Sequence, residues 1–447
     1  MRVTWVQPED LVRHEFRQAA DEGRKVDDLI AQWTAAGGPA HPPDRGASPP
    51  GDPALRELAE RLLPELERRA AGEDADEPNS LDAIRQSAPG ASQLPSGGAL
   101  LDRVHGGWLG RAAGCLLGKP VEQTPRHGIR EILEANGRWP LRGYFTAVGL
   151  PDDVARRWPW NRASKPTSLA EVIAGMPEDD DLNYTLLALR LLELRGHEMS
   201  SDDVATQWLL DLPAARTFTA ERVAYRNLLA GISPPHSATV ANPYREWIGA
   251  AIRGDCYGWA CPGDPQAAAE LAWRDGRVSH TRNGIYGAMY VAAMASAAVV
   301  APNVDDVLDA GLSVIPQRSR LALAVREARE VAAAETDFER AVDRLYQAHA
   351  QHHWVHVLNN VALTTLALAW SKGDFAESIC LVVSGGWDTD SNGATVGAVT
   401  GALAGARGLP REWVDPLQNR LVTSIPGFST VGFDELARRT AALSADV

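Results

Sequence analysis

From Leu101 onward apolar residues, chiefly Ala and Leu, recur at spacings of three and four. Alternating β-branched runs closed by hairpin turns are scarce, so the pattern predicts helices throughout. Leu182 to Arg195 is the clearest case: Leu182, Leu186, Leu189 and Leu192 share a face, and Gly196 follows as a C-cap. Before Leu100 the pattern changes. A helix is expected near Pro8 to Thr34, stopped by the turn-rich stretches Gly37 to Pro43 and Ser48 to Gly51, and a second, charged helix near Pro53 to Arg69. Gly72 to Gly98 is rich in Asp, Glu, Ser, Pro and Gly and reads as a solvated connection. The expected fold is all-α, with a compact multi-helix domain over 100–447. Residues 1–99 form a helical and linker appendage that packs on the domain or on a partner subunit.

Two glycine ladders sharpen the pattern. Gly106, Gly110, Gly114 and Gly118 are spaced by four, as are Gly393, Gly397, Gly401 and Gly405, so each set leaves a bare stripe on one helix face. Glycine costs about 1 kcal/mol relative to alanine at each interior helix position, so its repetition implies close backbone approach. Both ladders are expected in tightly packed central helices of a soluble bundle.

Composition narrows the class. The chain has 447 residues, 45% hydrophobic and 23% charged, enough for a large core. No apolar run approaches the roughly 20 residues of a spanning helix, and Met1 to Asp10 lacks an apolar signal core, so no membrane is expected and the location is read as cytoplasmic. A net charge of −14 with scattered Arg and Lys argues against nucleic acid. Cys115, Cys256, Cys261 and Cys380 have neither zinc-site spacing nor the density of a disulfide scaffold, and read as buried thiols.

Chemistry concentrates in two acidic stretches: Glu178-Asp179-Asp180-Asp181, and Asp388-Thr389-Asp390-Ser391 behind Gly385-Gly386-Trp387. Each stands at the mouth of an apolar helical run. Hard divalent cations take carboxylate and hydroxyl oxygens. Acidic residues at a helix start also cap it and complement its dipole, so either stretch alone fits both readings.

With a third motif, Gly106-Gly107-Trp108-Leu109-Gly110-Arg111-Ala112-Ala113-Gly114-Cys115-Leu116-Leu117-Gly118-Lys119-Pro120-Val121-Glu122, the chain resembles the ADP-ribosylglycohydrolase superfamily over roughly Leu100 to Gly427. The three motifs occur in the family's order. The resemblance implies an all-α domain that binds two Mg²⁺ ions, with Mn²⁺ as a substitute, at the base of a cleft for an ADP-ribosyl group. By position it gives Glu178, Asp179, Asp180, Asp388, Asp390 and Ser391 as metal ligands. Glu122, with Asp179 and Asp180, then belongs to the catalytic set. His280 stands where relatives often carry a substrate-side histidine, and Trp387, a ring at a loop position beside the second acidic stretch, is read independently as a surface that stacks on a flat base. The chain departs from the family pattern at Glu178, where a threonine is common, at Ser391, where threonine is usual, and at Cys115, where many members carry aspartate.

The resemblance implies a Mg²⁺-dependent hydrolase of a ribosyl glycosidic bond, acting on an ADP-ribosylated protein or a ribosylated small molecule. One alternative is an N-ribosyl hydrolase of a small nucleotide-derived metabolite, as specialised metabolism would use. Another is a non-catalytic ADP-ribose-binding protein. Two further stretches are ambiguous. Asn359-Asn360 reads as a helix cap, and Arg245, in Asn242 to Asp255, reads either as a phosphate ligand or as half of an Arg–Glu pair.

Overall fold

The computed structural model describes residues 2–43, 46–69, 74–95 and 99–446. Residues 72–73 and 96–98 of the expected connection lie outside them. Among the described residues the architecture is 22 α-helices with one short antiparallel pairing, Leu421–Val422 against Thr430–Val431. The fold is all-α, and no described helix is long and apolar enough to cross a membrane.

The front of the chain is more structured than its composition suggests. The single helix expected near Pro8 to Thr34 is two, α1 (Pro8–Asp21) and α2 (Asp27–Ala35), because Gly23 at φ 66° turns the chain between them. The second expected helix is α3 (Pro53–Arg68), started by the Asp52 carboxylate, which accepts from the Ala54 N–H at 2.9 Å. The expected solvated connection is mostly exposed over 74–95, with two buried residues as exceptions. This segment holds α4 (Leu81–Ser87), with Ile84 buried, and Glu77 is buried with its carboxylate 2.9 Å from the Arg320 side chain. Its polar residues are largely solvated, and several, Glu77 above all, are also ion-paired to the body of the chain.

The amino-terminal helices pack on the body of this same chain. Arg245 pairs with Glu15 at 2.9 Å and Glu22 at 2.8 Å, both from α1 and its end, and Gln18 donates to Glu246 at 2.7 Å. Of the two readings of Arg245, the structure therefore supports the Arg–Glu pair.

At the centre, α5 (Leu100–Gly118) lies antiparallel to the helix Thr389–Ala404, and the glycine ladders face each other. A Cβ placed on Gly106, Gly110 or Gly114 would overlap the carbonyl of Gly401, Gly397 or Gly393 respectively. Gly118 abuts Thr389, and the Thr389 hydroxyl donates to the Gly118 carbonyl at 2.9 Å. Gly405 departs from the ladder: at φ 70° it closes the helix as a C-cap. All four cysteines are buried free thiols.

Because the glycine contacts are backbone to backbone, no side-chain shift relieves an added methyl. Gly114→Ala is expected to lower unfolding stability in urea by about 3 kcal/mol. Gly51→Ala, where nothing lies within 4 Å, should change it by less than about 0.5 kcal/mol.

Candidate active site

The glycine contact places the end of α5 beside the start of the Thr389–Ala404 helix. The chain leaves α5 through the 3₁₀ turn Lys119–Val121 into Glu122, which therefore stands near Asp388 and Asp390. A third strip arrives through Arg111, fully buried in α5, whose guanidinium donates to the Asp181 carbonyl at 2.7 Å and to its carboxylate at 3.2 Å. Ser391 donates to the other Asp181 oxygen at 3.2 Å. Three motifs distant in sequence thus meet at a cavity of about 420 Å³, lined by Glu122, Glu178, Asp179, Asp180, Asp388, Asp390 and Ser391.

The capping alternative holds for one residue only. Asp179 is the N-cap of the helix Asp180–Arg195 and accepts from the Asp181 N–H at 2.9 Å. Its second oxygen is ion-paired with Lys119. Asp388 occupies the N-cap position of its helix but makes no side-chain cap bond. Its backbone N–H is held instead by Asn360 Oδ1 at 3.1 Å, and the same oxygen accepts from Asn392 at 2.7 Å. Asn359 and Asn360 lie inside the helix Val357–Ser371, whose cap is His356, so the sequence reading of that pair as a cap is corrected.

Charge is only partly balanced here. Burial would lift the Asp179 carboxyl, yet Lys119 holds it below its ordinary range. Burial raises Asp180, with the Asp179 and Asp181 charges adding to it, and raises Asp388, with Asp390 adding. Glu122, bonded by Asn161 at 2.8 Å, is pushed up to about 8 by burial and by Asp390 and Asp179. Asp390 Oδ1 is buried without a hydrogen-bond partner. Cys115 lies against the cluster, its sulfur and oxygens of Asp179 and Asp181 all within 4.8 Å of one another, and burial keeps its thiol protonated.

A family model for ADP-ribosylglycohydrolase matches residues 96–445. The chain belongs to the ADP-ribosylglycohydrolase family. It is 26% identical over 321 residues to an uncharacterized protein of Archaeoglobus fulgidus, covering 70% of this chain and 90% of that protein. A solved structure described as an ADP-ribosylglycohydrolase-related protein complex is 21% identical, with a TM-score of 0.44, over 77% of this chain and 99% of its own.

Metal dependence is typical of ADP-ribosylglycohydrolases, and the donor set here fits a hard cation. It offers a buried Asp390 oxygen with no hydrogen-bond partner among the described residues, and carboxyls on Asp180 and Asp388 that burial and neighbouring carboxylates, Asp390 among them, both raise. Glu178 differs: it lines the cavity, but its oxygens already accept from Asn183 (3.2 Å) and Ser424 N–H (3.0 Å) and pair with Arg216 (2.6 Å).

Two expected substrate-side residues lie apart from this cavity. His280 is fully buried away from it, bonded through Nδ1 to Ser279 at 2.8 Å, and burial and Arg253 keep it neutral. Trp387 stacks on Tyr346 at 4.2 Å and lines a neighbouring cavity of about 390 Å³ that shares Gln123 and Trp354 with the first. Sequence reasoning missed Lys119, Arg111, Asn161, Asn360 and Arg216. Arg111, the lone charge between Gly106 and Gly118, was the one visible signal.

The carboxyl shifts have a thermodynamic consequence in metal-free protein. Glu122 keeps its proton in the folded state up to about pH 8, whereas the unfolded chain releases it near the ordinary glutamate value of 4.5, so stability falls as pH rises through that window. His352 and His353, lowered from 6.5 to about 3, oppose this only below 6.5. With EDTA, Tm should therefore fall between about pH 6.5 and about pH 8. Mg²⁺ should reverse the fall and Glu122→Gln should flatten it; a rising Tm would contradict the charge arrangement.

Proposed function

We propose that this chain is a Mg²⁺-dependent hydrolase that cleaves the bond between a ribose anomeric carbon and its leaving group, on an ADP-ribosylated substrate. The observation that supports this most is the convergence of Glu122 with Asp179, Asp180, Asp388, Asp390 and Ser391 in one cavity. Asp180, Asp388 and Asp390 would hold two Mg²⁺ ions, with Asp179 and Ser391 completing the set and Mn²⁺ as a substitute. Glu178 would join through Oε2, whose one recorded partner is the exposed Arg216, since Oε1 already accepts from Asn183 and Ser424. Bound divalent ions supply a grip on ribose hydroxyls and a water of lowered pKa.

The protein groups do the rest. Glycosidic hydrolysis needs one carboxyl that gives a proton to the leaving group or takes one from the attacking water. Glu122 suits this, because burial keeps it protonated at neutral pH and Asn161 fixes its orientation. Lys119 and Arg111 hold Asp179 and Asp181 in register, and Asn360 fixes the Asp388 backbone.

Mass spectrometry of products from ADP-ribosyl-arginine, ADP-ribosyl-serine and NAD with Mg²⁺ tests the reading. Wild type should release a ribosyl product that Asp388→Asn does not. Glu122→Gln should bind Mg²⁺ within about twofold of wild type by calorimetry and lose on the order of 10²–10⁴ in turnover. Equal product from wild type and Asp388→Asn would sink the proposal.

A further inference from the structure

The acidic base is only half of the cavity lining. The same lining includes Trp5, Phe218, Ile248, Trp354 and Val355, which are apolar or aromatic. Part of it comes from outside the family-matched region of 96–445: Thr4, Trp5 and Gly46 belong to the amino-terminal segment. That segment is fixed in place. The Trp5 N–H donates to the Gly46 carbonyl at 2.5 Å, and the Trp5 ring meets Tyr244 at 5.6 Å and Trp247 at 5.9 Å, both edge-on. Arg222 donates to the Thr4 carbonyl at 3.2 Å while its guanidinium lies 5.2 Å over the Phe218 ring. One cation thus ties the added wall to the one exposed aromatic of the cavity; Phe218 is 41% exposed.

We infer that the amino-terminal segment builds the leaving-group side of the site, and that the leaving group is a small, flat nitrogen heterocycle rather than a protein side chain. This rests on the ribosyl-hydrolase reading above. Aromatic surfaces accept flat rings by stacking or edge contact, largely irrespective of ring identity. A side chain still attached to a folded protein would have to bring its backbone up to a cavity whose lining the amino-terminal Thr4, Trp5 and Gly46 already narrow. The volume of about 420 Å³ lies in the range that encloses a small molecule. A ring nitrogen also suits the chemistry. As the bond from C1′ to nitrogen breaks, its electron pair goes to the ring while water adds hydroxyl at C1′; a pyridinium such as nicotinamide leaves already neutral and the water's proton is released, whereas a neutral purine takes that proton up. The exchange needs no oxidant or reductant.

The test separates binding from turnover. Calorimetry would measure nicotinamide and adenine binding to full-length wild type, Trp5→Ala, Trp5→Phe and Phe218→Ala, each with Mg²⁺. Trp5→Ala and Phe218→Ala should each weaken base binding by about tenfold or more, Trp5→Phe should restore it, and Mg²⁺ affinity should hold within about twofold. If Trp5→Ala does not fold, Phe218→Ala, altered at an exposed position, carries the comparison. In parallel, wild type should release base from NAD at least about tenfold faster than ADP-ribose from an ADP-ribosyl-arginine protein. Base binding that is absent from wild type or unchanged in the variants overturns the inference, as does equal turnover of the protein substrate. Base binding that depends on Trp5 and Phe218, with no riboside cleaved, supports the leaving-group site and overturns the hydrolase reading instead.

Discussion

The approach of two backbones governs this molecule. Helices packed through ordinary side chains keep their axes about 8–10 Å apart. Here glycine at every fourth position removes the side chains from both contacting faces of α5 and its partner Thr389–Ala404. The register of that contact is not free, because each ladder carbonyl fills the space a Cβ would need on the other helix. Gly118 must therefore end against Thr389, and the residues following Gly118 must emerge beside the residues preceding Thr389. The convergence of Glu122 with Asp388 and Asp390 is a direct geometric result.

A second consequence concerns charge. Burying carboxylates is costly unless they are paired, hydrogen-bonded or bound to a cation. The fold answers two of them internally: Lys119 meets Asp179, and Arg111 meets Asp181 together with Asp255. Among the described residues Asp180, Asp388 and Asp390 form no ion pair, and although the Lys119 charge partly offsets the shift at Asp390, the proton affinities of all three are raised. The unbalanced subset defines where external positive charge is most strongly favoured. Cys115 adds no further anion, since its buried thiol stays neutral.

How much of this was legible in the sequence depended on whether a signal was local. The glycine spacing and leucine periodicity are short-range patterns, and both led directly to helices and to the central pair. The acidic stretches were equally plain, and the family resemblance joined them before any contact was known. What escaped has the opposite character. Trp5 is held at the cavity by Tyr244 and Trp247, by Arg222 on Thr4, and by the pairing of α1 with Arg245 and Glu246, all contacts roughly 220–240 residues apart in sequence, and nothing near Trp5 encodes them. The ion pairs of Glu77 escaped because composition does not reveal which arginines will find it. His280 looked like a site residue but is enclosed by core, and Asn360 looked like a cap because the helix boundary falls a few residues earlier than its polarity suggested.

The contact between Gly118 and Thr389 joins residues 271 apart in the chain. Local helices can form as the chain is made, but closing so long a loop precedes any reward from the contacts it allows. The two halves of the acidic cluster therefore stay apart until the last quarter of the protein has been synthesised. Until then the carboxylates of the two stretches cannot meet, and the cavity they line together is not yet formed.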